Sequence, residues 1–109
     1  MPADVDVALP KTTTDLDYVV ITNEELERPY RVIIQNDDVT PMDFVVLVLL
    51  TIFELDMESA VQVMLTAHQN GRALVRTMPF EAAQECVYTA QSRAREVGYP
   101  LSFYLEPDS

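Results

Sequence analysis

The chain has 109 residues, 49% of them hydrophobic, and a formal charge of −11. That length fits one domain with a single modest core. The charge excludes nucleic acid and anionic membrane as expected partners, because both recruit basic surfaces. A single cysteine, Cys86, excludes an intrachain disulfide and a cysteine metal cluster and agrees with a reducing compartment. The first residues, Met1-Pro2-Ala3-Asp4-Val5-Asp6, are acidic and lack the basic and apolar parts of a secretory leader. The longest apolar run, Phe44 to Phe53, spans ten residues, whereas a membrane-crossing helix takes roughly 20, so the expected location is cytoplasmic.

Residues 1–28 read as a flexible acidic N-terminal extension and residues 29–109 as the folded core. Within the extension, Glu24-Glu25-Leu26-Glu27 is a solvated charge run. Asp17-Tyr18-Val19-Val20-Ile21-Thr22 is strand-like, but too little apolar surface surrounds it to offset the entropy of ordering. Tyr30-Arg31-Val32-Ile33-Ile34-Gln35 is β-branched and aromatic-led, and Asn-Asp-Asp ends it, so it is a predicted strand. Thr40 is the expected N-cap of the next helix, with Pro41 at its first position and Asp43 in its first turn. The apolar run behind it is ambiguous by period alone, and these start signals decide for a helix to about Phe53.

Asp56 caps a second predicted helix that stops at Asn70-Gly71, with Met57, Ala60, Val61, Met64 and Ala67/His68 facing inward. Ala73-Leu74-Val75-Arg76-Thr77 is a short second strand. Pro79 opens a third helix with an inward stripe of Ala83, Val87, Ala90, Ala94 and Val97, and Gly98 ends it. Leu101-Ser102-Phe103-Tyr104-Leu105 is the third strand. The order βααβαβ predicts an α+β fold in which a small three-stranded antiparallel sheet packs against three helices.

The segment Gln35-Asn36-Asp37-Asp38-Val39-Thr40-Pro41-Met42-Asp43-Phe44 concentrates acceptors beside apolar surface. Asn and Asp favour turns, and a strand-to-helix connection needs them. Three consecutive acceptors nonetheless exceed what one turn requires, and an ionised carboxylate takes charge-assisted hydrogen bonds from an ammonium. A peptide's α-amino group followed by a bulky apolar side chain fits such a site. His68, the one histidine, lies a helical turn beyond Met64 on the same face and is either a core group or an acceptor. Met42 and Met64 are core fillers or the walls of an adaptable pocket. Cys86 has no adjacent base or oxyanion site, and Asp37, Asp38 and His68 have no recognised metal spacing. No enzyme activity, cofactor or metal is therefore expected.

These strings resemble the ClpS family, adaptors of bacterial ATP-dependent Clp proteases. The resemblance rests on Tyr30 through Val45, on Met64-Leu65-Thr66-Ala67-His68-Gln69-Asn70-Gly71, and on Ala94-Arg95-Glu96 with Pro100-Leu101 and Leu105-Glu106. It covers residues 29–107. It implies a binding adaptor that captures substrates beginning with Leu, Phe, Tyr or Trp (N-degrons) and delivers them to the N-domain of a ClpA-type AAA+ unfoldase. By position, Asn36, Asp37 and His68 would hold the α-ammonium, and Asp38 and Thr40 would line the entrance. Met42, Val45, Met64, Ala67 and Leu101 would wall the side-chain pocket. Glu81 and Cys86 would fall on the face that touches the unfoldase, and the pore would engage the acidic extension.

The chain departs from the family pattern at four positions. Cys86 stands where a lysine is common, Val39 where a tyrosine is, Leu47 where the residue is more polar, and Ala67 where a valine narrows the pocket. These departures are those of a diverged second copy of the adaptor. The alternative is a protein–protein docking module of the same fold that modulates an unfoldase without reading N-termini, since fold alone does not decide function.

Overall fold

Val32, Ile33 and Ile34 make β1 (Pro29–Gln35) a well-buried central strand in the computed structural model, which describes residues 22–108. Strand β1 pairs antiparallel with β2 (Arg72–Pro79) on one side and β3 (Ser102–Pro107) on the other, giving the order β2-β1-β3. Successive side chains of a strand point to opposite faces. Val32 and Ile34 accordingly join the main core, while Ile33 lies outside it between its cross-strand neighbours Leu74 and Tyr104. A register shift between Val32 and Ile33 marks an irregularity in the β1–β2 ladder.

Helices α2 (Met42–Thr51), α3 (Met57–Asn70) and α4 (Phe80–Glu96) contribute to the same core as Val32 and Ile34. In α2, Val45, Val48 and Leu49 are buried at the spacing of one helical face, and Leu47 is exposed on another. Ala60, Ala83, Ala90 and Ala94 have no exposed surface, and such small side chains let α3 and α4 each pack closely on the sheet. Phe53 and Phe103 meet at a ring-centroid distance of 5.1 Å. This is the α+β fold expected from the sequence, a three-stranded antiparallel sheet packed against helices.

The structure differs from the sequence expectation in several places. A short helix, α1 (Asn23–Glu27), occupies the stretch read as an irregular charge run. Thr22 Oγ1 accepts from the Glu25 backbone at 3.1 Å, and Glu25 Oε1 accepts from the Thr22 backbone at 3.2 Å. This capping box satisfies two otherwise orphaned donors and explains the helical turn. The rest of the expected extension, with most of the strand-like Asp17–Thr22 segment, lies outside the described residues.

Helix α2 begins at Met42 with Pro41 at the N-cap, so Thr40 does not cap it. Asp37 engages the Thr40 hydroxyl instead. Met57 and Val97, expected in inward stripes, are 59% and 56% exposed because they sit at the helix ends, where the sheet no longer covers them. Other boundaries agree within two residues. Asp56 caps α3 by accepting from Ser59, and Gly71 ends it at a φ of 90°, a left-handed conformation that costs a residue with Cβ.

Leu49 on α2 is fully buried in the core. Leu49→Ala should therefore destabilise the fold by about 2–5 kcal/mol, read as a lower urea midpoint at unchanged slope.

Candidate functional site

Three attachments organise the loop between β1 and α2. At its start, the Asn36 backbone donates to Gly71 O at 2.9 Å, joining the exit of β1 to the end of α3. In its middle, Asp37 Oδ1 accepts from the Val39 and Thr40 backbones at 2.8 and 2.6 Å, and Oδ2 accepts from the Thr40 hydroxyl at 2.9 Å. At its end, the Val45 backbone donates to Pro41 O at 3.1 Å and starts the helix.

Burial alone raises the Asp37 pKa. The hydrogen bonds from Thr40 and Val39, aided by the Arg95 charge, outweigh it and hold the carboxyl below its ordinary value of 3.8. The group is thus ionised at neutral pH. Its three bonds use three of roughly four lone-pair positions on a carboxylate, leaving capacity for one further donor.

A cavity of about 290 Å³ opens beside this loop. Asn36, Asp37, Asp38, Thr40, Met42, Val45, Met64, Ala67, His68 and Leu101, the ten residues singled out for the amine site and side-chain pocket, all line it. They come from the β1 exit, the loop, α2, α3 and the segment before β3. Val45, Ala67 and Leu101 are buried, Met64 is half-buried, and Met42 is 44% exposed at the mouth. Asn36, Asp38 and His68 are exposed. The result is an apolar wall beneath a rim of acceptors.

Ile34, Gln35, Val39 and Pro41 also line the cavity and were absent from the sequence-based set. Their adjacency to the Asn-Asp-Asp string was the available signal. Gln35 is further tied to β3, its Oε1 accepting from the Ser102 hydroxyl at 3.2 Å.

Glu81 and Cys86 lie apart from the cavity, on the first half of α4. Glu81 is exposed and Cys86 half-buried, and their five-residue spacing turns them roughly 140° from each other around the helix. Cys86 Sγ donates to Ile52 O at 3.5 Å. Burial pushes the thiol pKa up, with Glu54 and Glu85 acting in the same direction and Arg76 against it. A thiol so placed is a poor nucleophile at neutral pH. A larger groove, of about 680 Å³, runs between α4 and β3 and includes Val87, Tyr88, Phe103 and Leu105. No helix among the described residues is long and apolar enough to cross a membrane.

Fold and site together define a small α+β domain built around an acceptor-rimmed apolar cavity. The family described as ATP-dependent Clp protease adaptor protein ClpS matches residues 25–104. ClpS 2 of Rhizobium meliloti is 39% identical over 90 residues, covering 81% of this chain and 89% of the relative. ClpS of Oleidesulfovibrio alaskensis is 40% identical over 98 residues, covering 88% and 94%. Among solved structures, Agrobacterium tumefaciens ClpS2 bound to L-phenylalaninamide superposes with a TM-score of 0.71 at 35% identity, covering 75% of this chain and 99% of that one. The chain belongs to the ClpS family of Clp protease adaptors.

The Asp37 network gives a titration with a definite sign. A carboxylate whose folded pKa is lowered adds stability above its unfolded pKa and loses it as the pH falls through the folded value. Thr40→Val removes one donor, so the Asp37 midpoint should rise toward 3.8 in carboxyl-detected NMR. Acid unfolding of that variant should begin at a higher pH than in the wild type.

Proposed function

We propose that this adaptor captures polypeptides by a free α-ammonium followed by a bulky apolar side chain, Leu, Phe, Tyr or Trp, and delivers them to a ClpA-type unfoldase in the cytoplasm. The observation that supports this most is the convergence of Asn36, Asp37 and His68 with Met42, Val45, Met64, Ala67 and Leu101 on one cavity. The ammonium would use the remaining acceptor capacity of Asp37, with Asn36 and His68 completing the clamp directly or through water. The first side chain would enter between Met42 and Leu101. The phenylalaninamide on the Agrobacterium relative, an amine joined to an aromatic side chain, has the same two parts.

The magnitudes are adequate. Burying a Leu or Phe side chain contributes roughly 1.5–3 kcal/mol, and each hydrogen bond to a charged amine contributes about 1.5–3 kcal/mol. Ordering and desolvation costs bring the sum to roughly micromolar affinity. On this reading exposed Glu81 faces the unfoldase, and half-buried Cys86, turned away from it around α4, stands at most at the edge of that surface. The acidic extension ahead of residue 29 is the segment the unfoldase engages.

The docking-module alternative gains some support from the apolar groove of about 680 Å³ between α4 and β3. It leaves the acceptor rim without a role, and we prefer the adaptor reading for that reason.

Asp37 also holds its own loop, so Asp37→Ala would mix loop collapse with loss of the amine contact. Acetylation of the ligand and His68→Ala are cleaner probes. In fluorescence anisotropy, a Phe-initiated peptide should bind at least about tenfold (~1.4 kcal/mol) more tightly than its acetylated form. His68→Ala should weaken the free form and leave the acetylated one unchanged. Equal binding of free and acetylated peptides would overturn the proposal.

A further inference from the structure

Arg95 stands near the end of α4 and does not line the cavity, yet it is bonded to a residue that does. Its Nη1 donates to Tyr99 O at 2.8 Å and to Leu101 O at 2.9 Å. We infer that Arg95 is a positioning residue for ligand capture, clasping the α4–β3 loop so that Leu101 closes the apolar wall of the cavity. This rests on the reading of that cavity as the site for a peptide's first residue.

The loop needs such a clasp. It leaves α4 through Gly98, at a φ of 82°, with the Gly98 backbone donating to Arg95 O at 3.1 Å and the Tyr99 backbone to Ala94 O at 2.9 Å. Beyond Tyr99, Pro100 has no backbone N–H, so the chain has no donor of its own with which to anchor to the helix there. The guanidinium supplies the donors instead. One helical turn earlier, Gln91 Oε1 accepts from the Phe103 backbone at 2.8 Å, so two side chains on the same face of α4 hold successive parts of the entry to β3.

The clasped segment reaches the cavity at Leu101 and braces α2 at Tyr99. Leu101 is 1% exposed and lines it directly. Tyr99 packs edge-on against Phe44 at a centroid distance of 5.0 Å, next to Val45 on α2. Loss of the clasp would free both contacts and widen the pocket.

Arg95 has no ion pair among the described residues, and the bonds its Nη1 makes go to neutral carbonyls. Its positive charge adds, as the smallest contribution after the Thr40 and Val39 hydrogen bonds, to keeping Asp37 ionised. The other titratable groups at the cavity are Asp38 on the loop and His68 on α3. This long-range action separates Arg95 from a merely structural tether such as Gln91.

The test uses the full chain with Arg95→Met, Arg95→Lys and Gln91→Met. It reads affinity for a Phe-initiated peptide and the Asp37 carboxyl midpoint by NMR. Arg95→Met should weaken binding about tenfold (~1.4 kcal/mol) and raise the Asp37 midpoint. Arg95→Lys should restore the midpoint but not the affinity, since an ammonium lacks the forked reach of a guanidinium. Gln91→Met should leave the midpoint unchanged. Wild-type affinity in Arg95→Met, or an unmoved midpoint, overturns the inference. If Arg95→Met does not fold by circular dichroism, Arg95→Lys decides, and wild-type affinity there overturns it. Failure of the wild type to distinguish free from acetylated peptide would instead refute the ligand reading, while the ligand-free midpoint still judges Arg95.

Discussion

The acceptor rim depends on one carboxylate holding its own loop. Residues 36–41 form no regular element, and a loop of that kind has backbone donors that must find partners. Asp37 supplies acceptors for two of them and for the Thr40 hydroxyl. Because the acceptor is ionised, these are charge-assisted bonds, stronger than their neutral equivalents. A serine or asparagine in this place offers fewer acceptor positions and no charge. The same substitution would lower both loop rigidity and the negative potential at the cavity mouth.

On the proposed reading, that arrangement resolves an apparent competition between structure and binding. The turn reading of Asn36-Asp37-Asp38 and the amine-site reading are usually alternatives, but here one residue serves the first without exhausting its capacity for the second. A rim already held by Gly71, Thr40 and Val39 need not be ordered by an incoming ligand. Preorganisation of this kind leaves more of the contact energy to appear as affinity.

Much of this was legible in the sequence because the signals are local. Strand β1 follows from its β-branched run and α3 from Asp56 and Gly71, whereas the cavity set follows from the resemblance of three strings to the ClpS family. The start of α2 was misplaced because two N-cap rules competed. Thr40-Pro41 is a strong local signal, but Asp37, three residues upstream, takes the hydroxyl that would have capped the helix. Helix α1 has its signal in the capping-box spacing of Thr22 and Glu25, set within a charge run that by composition alone predicts no helix. The loop contacts of Arg95 carry no local signal in the sequence: its carbonyl partners lie across a loop whose path only the tertiary structure fixes.

The two readings of this fold make different demands on its surface. A docking face gains affinity from a broad area of contact, whereas the exposed apolar side chains Leu47, Leu74 and Tyr88 stand on α2, β2 and α4 respectively, and single exposed hydrophobes are ordinary features of soluble domains. A cavity lined by thioethers, an alanine and a leucine gains affinity from one inserted side chain and a few polar bonds. The ceiling on such an affinity suits a carrier. With association near 10⁵–10⁷ M⁻¹s⁻¹, micromolar binding implies release at roughly 0.1–10 s⁻¹, fast enough to surrender a polypeptide to a machine that pulls on it. A tighter clamp would compete with delivery. On the proposed reading, the small cavity and the single spare acceptor position of Asp37 therefore limit the affinity as usefully as they supply it.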